Sequence, residues 1–148
     1  MQARHTPRMS RQSGVAAVEF ALLAIFFFSL LIGIMEMARV LFYVNTAAEV
    51  TRLGARMAVV CDVNDGDIKA RMVNMLGLLQ PSDITVTYSP ALCTASTCVS
   101  VTVSVSKQVQ TFNPFAPLTA SLPSFSTTLT RESMASTGPG GEANPVCL

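Results

Sequence analysis

The chain holds one histidine, His5, and no Ser/His/Asp set, no glycine-rich phosphate loop and no His/Cys spacing suited to a metal. Its four cysteines include no C-x-x-C pair, so they read as a framework and not as a redox centre. No enzyme is expected, and no cofactor. Charge is scarce: only 13% of the 148 residues are Asp, Glu, Lys or Arg. Beyond the first residues no basic stripe with aromatic neighbours occurs, which argues against nucleic-acid recognition. One oxygen-rich run, Asp62, Asn64, Asp65 and Asp67, approaches a calcium loop. The pattern fails, because Gly66 takes the fifth position and no glutamate closes the loop at the twelfth. That run reads as a turn followed by a helix N-cap at Gly66 or Asp67, and no metal site is expected.

What the chain has in quantity is apolar residues, 50% of the total. That is too much for a small soluble domain, and it suits a membrane helix joined to a compact head. Residues 1–14 are polar and basic, with Arg4, Arg8 and Arg11, and read as a targeting leader. Positive charge ahead of a span keeps that end in the cytoplasm. From Val15 to Met35 only Glu19 is charged. About 20 apolar residues at 1.5 Å each cross a hydrocarbon core, so 15–35 is expected to be a transmembrane helix. No A-x-A site closes the run, and a retained helix is expected over a cleaved secretory signal.

Glu19 admits two explanations. Near a helix end it can snorkel to the interface; alternatively it awaits a cation from another subunit. A cut after Gly14 would give Val15 a free ammonium. A carboxylate and an ammonium about 4 Å apart attract by roughly 4 kcal/mol at an effective dielectric near 20. That equals or exceeds the insertion cost of the carboxylate, about 2.5–3.5 kcal/mol at a helix centre.

These residues carry a resemblance. Gly14 followed by Val15, Ala16, Ala17, Val18 and Glu19 is similar to the processing site of type IV pilin-like proteins. There a prepilin peptidase cuts after the glycine, and glutamate is the fifth mature residue. Arg-Gln-Ser-Gly-x-Ala-Ala-Val-Glu-Phe-Ala-Leu at 11–22, with Arg52-x-Gly54-Ala55-Arg56-x-Ala58-Val59, resembles the TadE-like pseudopilins of the tight-adherence, or Flp pilus, system. Val15 in place of phenylalanine, and Phe20 in place of the tyrosine of Flp major pilins, favour that branch. The resemblance implies an α+β fold: a single-pass membrane protein whose long pilin-like helix packs on a small antiparallel head.

The helix is expected to continue as an extracytoplasmic extension over 36–60, which has no proline. Val40, Leu41, Val44, Ala47, Ala48 and Ala55 recur at helical spacing, and Glu36/Arg39 and Glu49/Arg52 are i,i+3 pairs. Small residues at Ala47, Thr51 and Ala55 allow close approach, either to the chain's own head or to a neighbour. Helical from Val15 to Val60, the spine would measure about 70 Å. The head is expected over 61–135, with a short helix at 67–79 carrying Ile68, Met72, Met75, Leu76 and Leu79 on one stripe. Strands are expected at 84–88, 99–106 and 124–134, the second with four valines on one face. Residues 111–123 read as a loop and 136–148 as a flexible tail. Cys61, Cys93, Cys98 and Cys147 all follow the span, as an oxidising compartment would favour. Four cysteines allow three pairings; if Cys93 joins Cys98, then Cys61 and Cys147 either tie the tail to the helix end or stay free.

The function the resemblance implies is a minor pilin or pseudopilin held in the bacterial inner membrane with a periplasmic head and available for assembly into an extracellular pilus. It would serve pilus assembly in adhesion, biofilm formation or secretion. Its partners would be other pilin-like subunits, the tight-adherence machinery and the prepilin peptidase. A permanently anchored envelope binding protein and a general-secretion pseudopilin are the alternatives.

Overall fold

A computed structural model describes residues 13–111 and 119–147. The leader (its residues 1–12) and the 112–118 part of the expected loop lie outside the described residues. The chain divides into two units, with the boundary between Ala38 and Arg39.

Helix α1, Ser13–Val60, opens the described chain. It contains no proline, so no backbone bond is forced open along its length. In the first unit its side chains are almost all exposed, and the 18-residue window of highest hydropathy buries none of its surface within the chain. A helix this apolar with no protein cover satisfies its own backbone bonds, as a lipid solvent demands. This is one candidate membrane span.

In the second unit α1 is a core helix. Ala47, Val50, Thr51, Ala55 and Ala58 are fully buried. The small-residue stripe is thus turned onto the head of its own chain. Thr51 avoids an unsatisfied hydroxyl by donating to the Ala47 carbonyl at 2.7 Å. Gly54 lies so close to Met72 that a Cβ there would overlap its Sδ. Leu41, placed on the apolar face from the sequence, falls off the covered side and is exposed.

After Cys61 the chain turns through Asn64, whose φ of 63° asparagine tolerates. Helix α2, Gly66–Met75, follows; its N-cap is Asp65, whose carboxylate accepts the Asp67 N–H. The cap therefore falls one residue earlier than Gly66, because Gly66 has no side chain and the Asp65 carboxylate reaches the N–H two residues on. The helix also ends before 79. Leu76 leaves helical geometry at φ −130°, and poor-helix-forming Gly77 follows. The turn that replaces the last helical turn still buries Leu76 and Leu79, while Met75 is left half exposed.

A 3-10 turn, Pro81–Asp83, leads into β1, Ile84–Ser89. With β2, Ser100–Val105, and β5, Phe125–Thr130, it makes an antiparallel sheet of order β1-β2-β5. Ile84, Val101, Val103 and Val105 are buried on one face, and Ser/Thr residues cover the other. Val99 is outside β2 and exposed: the parity shifts at the adjacent Cys93–Cys98 bridge, where Cys98 takes the buried place. The expected loop contains a strand, β4 (Thr119–Ser121), paired antiparallel with β3 (Gln108–Gln110).

β5 stops at Thr130, short of 134, because the chain then leaves the sheet for the end of α1. The N–H groups of Glu132 and Met134 donate to the Val59 carbonyl, and that of Ala135 to Val60. These bonds satisfy carbonyls that a helix C-terminus leaves open. The supposed flexible tail is held further by Ser136, which bonds Asp62 and Asp65, by a Thr137–Ala143 bridge and by the Cys61–Cys147 disulfide.

Candidate processing and assembly site

Gly14, Val15 and Glu19 all lie in the first two turns of α1. Positions four apart on a helix sit above one another, so Val15 and Glu19 share a face. Together with Gly14, Val18 and Leu22 they line a shallow recess on the helix surface. All five are exposed. A Cβ at Gly14 would meet no atom within 4 Å, so the fold sets no packing requirement for glycine there. Glu19 is the only charged side chain from Val15 to Met35. Among the described residues the site offers one carboxylate acceptor on an apolar surface.

The second motif is divided by the helix period. Gly54 and Ala55 face the core, Gly54 against Met72. Arg52 and Arg56 point outward, and Arg52 pairs with Glu49 at 2.7 Å. The glycine and alanine therefore serve close packing, while the arginines remain on the surface.

One family match covers most of both motifs. Residues 14–56 match the family model described as TadE-like protein. This stretch of the chain is TadE-like. The match begins at Gly14, ends at Arg56 and includes Glu19 and the Arg52–Arg56 motif. No curated protein and no solved structure matches the chain. The TadE-like family is one of pilus components, and the match supports a pilin-like role associated with the Tad pilus. The match and the one candidate membrane span together support a membrane-anchored protein.

The cysteines pair as Cys61–Cys147 and Cys93–Cys98. The first pair joins the end of α1 to the tail and the second closes the loop between β1 and β2. The acidic run is taken up by local structure: Asp65 caps α2 and, with Asp62, holds Ser136. Among the described residues no group of three or more His, Cys, Asp or Glu is gathered as a metal site would need.

Two interactions of the head were missed in the sequence. Lys107 Nζ donates to Asp83 Oδ2 at 2.7 Å, and the Gln80 N–H donates to the same oxygen at 2.8 Å. Partial burial works to raise the Asp83 pKa, but the Lys107 hydrogen bond, the Gln80 N–H and the Lys107 charge outweigh it, and the carboxyl is held below its ordinary value. Tyr88 is pushed up, chiefly by burial and also by the nearby Asp65 charge, although its hydroxyl accepts the Asn64 N–H at 3.1 Å. Both contacts join residues 24 apart, and neither has a local sequence signal.

Proposed function

We propose that this chain is a TadE-like minor pilin or pseudopilin, cut by a prepilin peptidase between Gly14 and Val15 and stored in the inner membrane for pilus assembly. The observation that carries the reading is Glu19: one carboxylate on an otherwise apolar helix, a turn beyond Val15, at the start of the TadE-like match. Cleavage creates an ammonium at Val15. Packed among other pilin-like subunits of the tight-adherence machinery, Glu19 of one subunit neutralises that ammonium on the next. The attraction, roughly 4 kcal/mol, matches the burial cost of the carboxylate, so pairing favours the bundle over the isolated subunit. The head faces the periplasm, where the oxidising environment keeps both disulfides closed.

Intact-mass measurement of membrane-extracted protein tests the cut. In cells with an active peptidase the mass should begin at Val15, and retention of residues 1–14 would favour a permanently anchored binding protein. Glu19→Val should leave insertion unchanged and reduce pilus assembly at least tenfold, as counted by surface pili. Normal piliation would remove the pairing step.

A further inference from the structure

Within residues 39–60 the side of α1 turned away from the head changes character within one turn. Leu41 and Phe42 are 52% and 61% exposed, and Phe42 meets Tyr43 edge to face. From there the exposed positions are Asn45, Glu49, Arg52, Leu53 and Arg56, polar except for Leu53, which is 37% exposed against 61% for Phe42. The opposite side stays buried from Ala47 to Ala58. One helix surface that is apolar below Tyr43 and charged above it meets two different solvents.

We infer that the outer lipid–water boundary lies at Leu41–Phe42, and that residues 36–42 of α1 occupy the headgroup layer. The inference rests on the membrane-anchored reading. Exposed apolar side chains do not stop at Met35; they continue through Met37 to Leu41 and Phe42. At 1.5 Å per residue Val15–Met35 covers about 30 Å, the hydrocarbon thickness. Residues 36–42 add about 10 Å, enough to cross the outer polar layer. Leu41 and Phe42 are large, whereas helix–helix contacts in membranes favour small residues. Aromatic side chains at Phe42 and Tyr43 suit an interfacial belt. Arg39 lies at the same level, and its guanidinium donates to the Gln110 carbonyl at 2.8 Å, which holds the end of β3 there.

The chain has no tryptophan, so a single indole can report depth. Full-length Phe42→Trp, Phe27→Trp and Leu53→Trp proteins would be placed in phosphatidylcholine vesicles whose acyl chains carry bromine at shallow or deep carbons. F27W should be quenched most by deep bromines. F42W should be quenched by shallow bromines at least threefold more than L53W, with bluer emission. Leu41→Trp should repeat the F42W result, guarding against a local effect of one substitution. If F42W and L41W respond as L53W does while F27W is quenched, the boundary is wrong and the anchor stands. Blue emission from F42W without lipid quenching would show protein cover and overturn the inference. An unquenched F27W would remove the anchor itself.

Discussion

Between Val15 and Met35 the large apolar side chains of α1 are exposed; between Ala47 and Val59 the same helix buries small ones completely. The most apolar window of the first region buries none of its surface among the described residues, and its stability depends on what surrounds it. The second is one wall of a core closed by the sheet, α2 and two disulfides. Residue size follows from this difference. Phenylalanine and leucine fill the exposed positions, while alanine, threonine and glycine let α2 and the sheet approach the spine closely. A single helix can serve two solvents because its backbone bonds are satisfied in either.

If the two regions are independent in this way, substitutions should separate them. The largest effect is expected for Cys147→Ser. It opens a loop spanning 86 positions and frees the tail from the end of α1. In the chain-entropy model such a loss is about 4 kcal/mol. Urea unfolding followed by tyrosine emission measures it, because both tyrosines, Tyr43 and Tyr88, lie in the head unit. Reductant added to the native protein should move the midpoint the same way.

The comparison is sharpened by a pair of truncations. Met72→Ala empties a fully buried site against Gly54 and should cost about 2–4 kcal/mol in the same assay. Leu23→Ala in the exposed stretch should leave the head's midpoint unchanged, within about 0.5 kcal/mol. Equal effects would mean that the two regions unfold together.

The smallest effect belongs to Asp83 and Lys107, whose side chains are 18% and 20% exposed. The Asp83 carboxyl is held below its ordinary value, so its contribution is present above the unfolded pKa, about 3.9, and is lost as pH falls through the lower folded value. Acidification from pH 5 into that range should cost up to about 1 kcal/mol, and Lys107→Ala should flatten this part of the profile. Tyr88 acts at the other end of the scale: its raised pKa means stability is lost as pH rises above about 10.

Much of the architecture was legible because it rests on periodicity. The proline-free apolar run predicts α1, and strict alternation in Ile-Thr-Val-Thr-Tyr and Ser-Val-Thr-Val-Ser-Val predicts β1 and β2. Where the reading failed, a distant partner decided the outcome. α2 ends at Met75 because the core takes Leu76 and Leu79 through a turn. β5 ends at Thr130 because the open carbonyls of Val59 and Val60 draw the next residues away. The tail looked flexible because its glycines and prolines carry no periodic signal, yet Ser136 and Cys147 hold it from outside. The candidate site is a local pattern in the same sense, since Gly14, Val15 and Glu19 sit within two helical turns of one another.

The sequence by itself determined the apolar helix, the lone carboxylate near its start and the alternating strands. Each is a local pattern, and local patterns are set by the period of the backbone. Only the tertiary structure decided which cysteines pair, that Ala47, Thr51 and Ala55 face the chain's own head, and that the tail closes the end of α1. Those outcomes join residues far apart in the chain, and the free energy that selects them exists only once both partners have been brought together.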